Sequence, residues 1–391
     1  MSAGGASTFH LLTGEYPPRP GGVSDYSAQV ASGLAAAGAL VHVWTTPGGD
    51  PPEVPAVTVH RDSGRWSPAG LARLGAALDT FPVPRRLLVQ YTPNAWGAKG
   101  LNLAFCRWLV ARRRVRGDEV RLMFHEVAYP WQLHDKPTRW LLAAGQRWMA
   151  RTLLRAGTHV DVTTPAWEGM LRAVAPGRLE TVGWRPVPSN IPVADDPKAV
   201  ASVRARVCPA GGSVVGSFSS FSELTGPLLA AALPGVLAGH HDRVGLLIGQ
   251  GGDRFAARLV AANPGLRGRL VATGPLTAAE VSAHLGACDL IVQLYPDGLT
   301  TRRTSLMASL AHGVPVVSNS GHLTEPFWAA SGAVTLAAGP GGVASAADRL
   351  LADPAERARS GAAGRTLYDL RFALERTIEA IMGPTPVGAA S

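Results

Sequence analysis

Short apolar runs rich in Val, Leu and Ile alternate with longer segments of helical period, and the alternation runs through the chain twice. That pattern belongs to parallel sheets covered by helices, because a strand buried on both faces reads as an apolar run and its crossover as an amphipathic helix. In the first pass, strands are expected at Thr8–Leu12, Leu40–Thr45, Val57–His60, Arg86–Tyr91, Val120–His125 and His159–Val162. Helices are expected at Val23–Ala37, Leu101–Arg114, Thr138–Arg155 and Ala166–Val174. Trp184–Val193 holds three prolines in ten residues and cannot continue a helix, so it reads as an interdomain linker. The second pass places strands at Ser213–Phe218, Val244–Ile248, Leu270–Ala272, Leu290–Tyr295, Val314–Ser318 and Ala333–Leu336. Its helices fall at Pro227–Leu237, Ala278–Ala287, Thr304–Ala311 and Val343–Leu351, and Thr366–Met382 reads as a last helix before a frayed tail. Two consecutive doubly wound α/β domains follow, residues 1–192 and 193–365, with 366–391 as a terminal helix and tail. A ligand cleft between the domains, at the carboxyl ends of the strands, is expected.

Composition narrows the class. With 391 residues, 46% hydrophobic and 17% charged, the chain can bury two or three cores and is neither disordered nor fibrous. The most apolar stretch, Gly226–Gly239, is interrupted by Pro234 and Gly235, so no membrane span is expected. No basic region precedes an apolar segment at the start, so no secretion signal is expected. Cys106, Cys208 and Cys288 are too few and too scattered for a disulfide framework or a zinc site. The expectation is a soluble, cytoplasmic protein. The net charge of +9 is uneven: residues 1–192 carry 21 Lys and Arg against 13 Asp and Glu, and the remainder 16 against 15. Arg112, Arg113, Arg114 and Arg116 crowd together in the basic half. An anionic membrane surface, an acidic substrate, nucleic acid or a solvated helix face would each explain that cluster. No zinc-finger or RRM signature accompanies it, which disfavours nucleic acid.

Four constellations carry chemistry. Gly14–Tyr26 (GEYPPRPGGVSDY) joins the first strand to the first helix, and Gly21 and Gly22 let backbone approach a ligand beside a helix N-terminus. Its spacing is neither GxGxxG nor a P-loop, which weakens a nicotinamide-dependent oxidoreductase reading. His125 and Glu126 close the fifth strand, where α/β proteins place ligand-binding groups. Gln90–Gly100 (QYTPNAWGAKG) offers aromatic faces in Tyr91 and Trp96, an amide in Asn94 and a cation in Lys99, a mixture suited to a sugar. An ordinary surface loop anchored by a packed Trp fits that stretch equally well. Tyr295–Ser305 (YPDGLTTRRTS) brings backbone N–H groups, hydroxyls and two guanidiniums to one helix start, the makings of a diphosphate site.

Together these segments resemble glycosyltransferase family 4. The glycine loop, Gln90-Tyr91 with Phe124-His-Glu126, Ile248–Gly251, Thr273–Leu276 before Ala287-Cys-Asp289, and Leu306–Val317 with its Gly-Val-Pro-Val-Val ending carry the likeness over about residues 8–320. The resemblance implies the GT-B fold, two Rossmann-like domains facing across a cleft. It also implies transfer of sugar, with retention of configuration, from a nucleotide-diphosphate-sugar to a small-molecule, glycan or lipid-linked acceptor. The first domain would bind acceptor, the second nucleotide, and the last helix would return to the first domain.

On this reading His125, Arg302 and Arg303 are catalytic. Donor binding falls to Gly21, Gly22, Ser217, Gly251, Thr273, Gly274, Gly298, Leu299, Thr300, Thr301 and Thr304. Acceptor binding falls to Asp25, Tyr91, Asn94, Trp96, Lys99 and Glu126. No metal and no cofactor beyond the co-substrate is expected, and a peripheral contact with anionic membrane through the basic half is. The chain departs from the family in two places. Thr300 and Ala308 stand where an E-x7-E pair of glutamates is usual, and Gly216–Phe221 lacks the usual Arg and Lys, so Arg302 and Arg303 are the candidate replacements. A non-catalytic sugar- or nucleotide-binding partner of the same fold is the alternative function.

Overall fold

The computed structural model describes residues 7–61, 64–97, 100–131 and 136–383. They divide into two compact units, one of residues up to Pro186 together with those from Leu374 onward, the other Val187–Ala373. The expected boundary at 192/193 falls inside the second unit. Val187 N–H donates to Thr301 O and Ser189 N–H to Tyr368 Oη, so the proline-rich stretch is already bonded there.

The first unit runs β1 (Thr8–Thr13), α1 (Gly22–Ala36), β2 (Leu40–Trp44), β3 (Val57–His60), α2 (Pro68–Leu78), β4 (Arg86–Tyr91), α3 (Leu103–Arg116), β5 (Glu119–Phe124), α4 (Pro137–Leu153), β6 (His159–Val162), α5 (Pro165–Val174) and β7 (Gly183–Trp184). Its seven parallel strands lie in the order β3-β2-β1-β4-β5-β6-β7, the Rossmann arrangement in which the winding reverses between β1 and β4. Leu11, Leu87, Val89 and Leu122 are fully buried in the central strands, as a sheet covered on both faces requires. Thr13 pairs with Gln90 and Tyr91 with Phe124, so the loops after β1, β4 and β5 leave the sheet side by side.

The second unit repeats the plan: α6 (Pro197–Val207), β8 (Ser213–Phe218), α7 (Gly226–Leu237), β9 (Arg243–Ile248), α8 (Gly252–Ala262), β10 (Leu270–Ala272), α9 (Ala278–Gly286), β11 (Leu290–Val292), α10 (Thr304–Ala311), β12 (Val316–Asn319), α11 (Phe327–Ser331), β13 (Thr335–Ala337), α12 (Gly339–Ala352) and α13 (Pro354–Leu367). The order β10-β9-β8-β11-β12-β13 puts the reversal between β8 and β11. Val215, Leu247, Leu290, Val292 and Val317 from the strands form one core with Leu233, Val236 and Leu237 of α7 and Leu350 of α12.

The expected terminal helix at Thr366–Met382 is broken. α13 ends at Leu367, a π-helical turn covers Tyr368–Phe372, and α14 (Leu374–Met382) is separate. The break lets α14 join the first unit, where Ile378 and Leu374 pack over Gly33 of α1 and Arg121 Nη1 donates to Ala380 O (2.6 Å). β11 also stops short of Tyr295. From Gln293 onward a side chain takes over pairing that a longer strand would make with its backbone.

Candidate functional site

Each unit has a reversal point, where loops from neighbouring strands diverge and leave room for a ligand. In the first unit the loop after β1 lies directly on the loop after β4. A Cβ on Gly14 would stand 2.1 Å from Ala95 O, so only glycine allows that approach. Thr13 Oγ1 donates to Glu15 O (2.8 Å) and accepts from Ser27 Oγ (3.0 Å), fixing the loop to α1. α1 starts at Gly22 without a side-chain cap among the described residues, which leaves N–H groups for another partner. A Cβ on Gly22 would meet nothing within 4 Å, whereas one on Gly21 would meet the Glu15 carboxylate at 2.9 Å. Asp25 lies half-buried in the same first turn.

His125 follows β5. Its Nε2 is 2.9 Å from Gln90 Oε1, its carbonyl accepts from Trp167 Nε1 (2.8 Å), and Tyr26 meets its ring edge-on with centroids 4.7 Å apart. An amide oxygen accepts only, so Nε2 carries the hydrogen and Nδ1 is the acceptor nitrogen. Burial lowers the imidazole pKa to about 3, so His125 is neutral at pH 7. Beside it Glu126 Oε2 accepts from Thr92 Oγ1 (3.1 Å), and exposed Asn94 accepts from Tyr129 Oη (3.1 Å).

The aromatic platform expected of Tyr91 and Trp96 is core instead. Trp96 is fully buried with its ring stacked on Phe105 (4.0 Å) and tilted against Trp66 (4.5 Å), and Tyr91 is fully buried against Phe124. A short 3-10 turn over Pro93–Trp96 folds the indole back under the loop, where burying it outweighs exposing it. Lys99 lies outside the described residues.

In the second unit Gln293 sits at the reversal point and stitches three elements together. It accepts from Phe218 N–H (3.2 Å), donates to Phe218 O (2.8 Å) and reaches Ser305 Oγ (3.3 Å) of α10. Ser217 is buried in β8 one residue earlier. The loops after β9 and β10 are tied by Thr273, whose hydroxyl donates to Gly274 O (2.9 Å) and accepts from Gly249 N–H (3.1 Å). The Thr273 hydroxyl proton is thus spent inside the fold. Gly251 caps α8 in the left-handed region, φ 86°.

The loop between β11 and α10 carries the charge. Arg302 Nη2 and Arg303 Nη2 both donate to Asp297 Oδ2, at 2.7 and 3.2 Å, and the Arg303 guanidinium lies 4.7 Å over the Tyr295 ring. Burial and the adjacent Arg302 pull the Arg303 pKa below its ordinary value. Tyr295 Oη meets Ser305 Oγ at 3.0 Å, and burial pushes its pKa up to about 12, so it stays protonated. Thr300 Oγ1 and Arg303 Nε are buried with no hydrogen-bond partner among the described residues. Thr304, half-buried, opens α10, which has no side-chain cap among them either. Gly298 does not serve a turn alone. A Cβ there would lie 2.2 Å from Gly321 N, so the loop packs backbone to backbone on the loop after β12, and Leu299 behind it is fully buried.

Two residues of this site escape sequence reading. Gln293 interrupts the apolar run Leu290–Tyr295, and a polar residue inside a buried run must find partners, which is a usable signal. Glu325 gives no such signal. It is 4% exposed, accepts from Thr301 N–H (3.0 Å) and Thr301 Oγ1 (2.7 Å) through one oxygen and from Trp328 Nε1 (2.8 Å) through the other. Thr300 and Ala308 are fully buried. Among the described residues no three His, Cys, Asp or Glu side chains converge to hold a metal ion.

The backbone superposes over 96% of its length on HepE of Anabaena, solved with UDP and glucose, at a TM-score of 0.67 and 16% identity, covering 98% of that chain. The architecture is GT-B. A glycosyltransferase from Rickettsia africae matches this GT-B chain at TM-score 0.72 and 13% identity, over 97% of this chain and all (100%) of that one. A putative UDP-N-acetylglucosamine 2-epimerase from Listeria monocytogenes matches at 0.61 and 11% identity, over 96% and 95%. At such identities the likeness establishes the GT-B fold, which also carries different chemistry. No family model and no curated protein sequence matches the chain.

Proposed function

We propose that this chain is a retaining glycosyltransferase moving a hexose from a nucleotide-diphosphate-sugar to an acceptor hydroxyl. The observation that carries the reading is the start of α10, where Arg302 and Arg303 are held together by one carboxylate, Asp297. Two guanidiniums gathered at a helix N-terminus, sharing Asp297 while Glu325 is engaged by Thr301 and Trp328, suit a diphosphate. In the reaction the bond from the sugar C1 to the diphosphate oxygen breaks and a bond from C1 to the acceptor oxygen forms on the same face. The acceptor proton passes to the departing diphosphate, so no separate base is required. Preorganised guanidiniums stabilise the charge that develops on the leaving group, and a chelator leaves turnover intact. His125, neutral with Nδ1 as acceptor, takes a hydrogen bond from a sugar hydroxyl.

A binding partner without catalysis is the second reading. Both carboxylates near α10, Asp297 and Glu325, are already engaged by the fold. Release of nucleoside diphosphate from a panel of UDP-, GDP-, ADP- and TDP-sugars separates the two. Arg302→Ala or Arg303→Ala is expected to lower that release about tenfold to a hundredfold, from the ~1.5–3 kcal/mol of a charge-assisted bond. Arg→Lys restores part of it, since an ammonium cannot grip two oxygens as a guanidinium fork does. Turnover and donor affinity near wild type in both alanine variants would remove α10 as the donor site.

A further inference from the structure

Charge and apolar exposure coincide on one face of the first unit. α4 presents Trp140, Leu141, Ala144, Trp148, Arg151 and, just past its end, Arg155 to solvent, while Ala143, Gln146, Met149 and Ala150 pack inward. Exposed positions at spacings of three and four residues make one stripe along the helix. Trp140 is 39% exposed, Trp148 42% and Leu141 72%, well beyond what a packed helix leaves outside. Trp131, 47% exposed, lies 5.0 Å from Trp140 between ring centroids. Arg107 of the neighbouring α3 stands 5.6 Å over the Trp148 ring, and Arg147 4.3 Å over that of Trp131. The patch therefore spans two packed helices.

Neither helix carries an acidic residue, although α3 holds five arginines and α4 three. Two of the five arginines of α3 are engaged within the fold. Arg112 is buried on Asp79 (2.7 Å) and Asp118 (2.5 Å), and Arg116 pairs with Asp79 (3.4 Å). The crowded Arg112–Arg116 run is thus partly internal, and the outward charge comes from Arg107, Arg113, Arg114, Arg139 and Arg151.

We propose that this α3–α4 face docks on the surface of an anionic phospholipid bilayer. Tryptophan and arginine are the side chains that settle at the level of lipid headgroups. The indole buries its apolar body there with its N–H in the polar layer, and the guanidinium meets phosphate from an aliphatic stem. A second copy of the chain is a poorer occupant, because an isologous contact would set arginines against arginines. No described helix is long and apolar enough to cross a membrane, so the contact is peripheral. This inference concerns the first unit alone and stands independently of the catalytic reading.

The test is sedimentation of the full chain with vesicles, scored by bound protein and not by activity. Binding to phosphatidylcholine vesicles containing 30% phosphatidylglycerol is expected, with weaker binding to pure phosphatidylcholine and loss on raising salt. Tryptophan emission should be quenched by bromine-labelled lipid. Leu141→Asp with Trp148→Ala should cut partitioning at least tenfold. Arg107→Gln with Arg151→Gln should cut it about twenty-five-fold on the anionic vesicles only, from roughly fivefold per arginine near such a surface. All four positions are exposed, so unchanged melting temperatures verify that the variants fold. The proposal is overturned if the wild-type chain stays in the supernatant with anionic vesicles, or if both double variants sediment as it does. A concentration-dependent dimer by light scattering, abolished by Leu141→Asp and accompanied by no vesicle binding, would also overturn it and assign the face to a second copy.

Discussion

Burial lowers the pKa of three histidines of the first unit, most strongly His10 and His125, and that sets an acid limit on its stability. His10 is fully buried, accepts from Trp44 Nε1 (3.3 Å) and stacks near His42 (5.4 Å), and its pKa falls to about 3 through burial and then the neighbouring His42 and His60. His125 falls to about 3 through burial alone. In the unfolded chain each titrates near its ordinary value of 6.5. Between pH 6.5 and 3 the unfolded state therefore binds more protons, and stability present above pH 6.5 drains away as pH falls. Each histidine contributes up to about 1.4 kcal/mol per pH unit in that window. Urea unfolding at pH 7.5 and 5 should show the loss, and His10→Phe should make it less steep. An unchanged slope in that variant would mean His10 is charged in the fold. The sequence marks His125 by its place after a strand, but nothing in it marks which way Trp96 turns. A loop's composition does not fix its side-chain directions, so Trp96 reads as a platform and folds as core.

Among the elements, the α10 loop depends on contacts from outside its own segment. Glu325 accepts three hydrogen bonds there, two of them from Thr301, and Gly298 lies against Gly321. Glu325→Ala strands buried donors at about 1–3 kcal/mol each, so a loss of about 3–5 kcal/mol is expected in chemical unfolding. Donor affinity should fall with it, because Arg302 and Arg303 follow directly on Thr301. Intact affinity in a destabilised Glu325→Ala chain would show that the loop holds its shape without the carboxylate. Strands Val57–His60, Arg86–Tyr91, His159–Val162, Ser213–Phe218 and Leu270–Ala272 are legible from the sequence residue for residue, since β-branched and apolar runs end abruptly at polar turns. Helices α2, α6, α8, α11 and α13 are not among the expected ones. Three of them begin with a signal that is nonetheless present, a capping side chain followed by proline: Ser67-Pro68, Asp196-Pro197 and Asp353-Pro354. Ala holds many of their positions, beside Leu in α2, Val in α6 and Gly in α13, which flattens the apolar period that marks a helix.

For the molecule as a whole, the chain leaves the first unit at Pro186 and re-enters it at Leu374, so the first unit is not finished until the last helix is made. A return of the last helix is implied by the family resemblance, but its start is not legible, because Thr366–Met382 has helical composition throughout and the turn at Tyr368–Phe372 shows only in the fold. The contribution of α14 to the first unit can be bounded. Burying Ile378 against Gly33 is worth about 1.5–3 kcal/mol, and the bonds from Thr377 to Tyr26 and from Arg121 to Ala380 O add about 0.5–1.5 kcal/mol each. Removing residues 374–391 should then destabilise the first unit by about 3–5 kcal/mol, equivalent to roughly 10 °C at ~2–4 °C per kcal/mol for a unit of this size. Gly33→Leu should act in the same direction with the helix present, since its Cβ alone would lie 2.8 Å from Ile378 Cδ1. Hydrogen exchange read by mass spectrometry distinguishes a local effect from a general one. Protection should fall along α1 and its neighbours β1 and β2 while β8, β9 and β11 keep theirs. Equal protection of α1 in the truncated and full chains would mean that α14 rests on the first unit without supporting it.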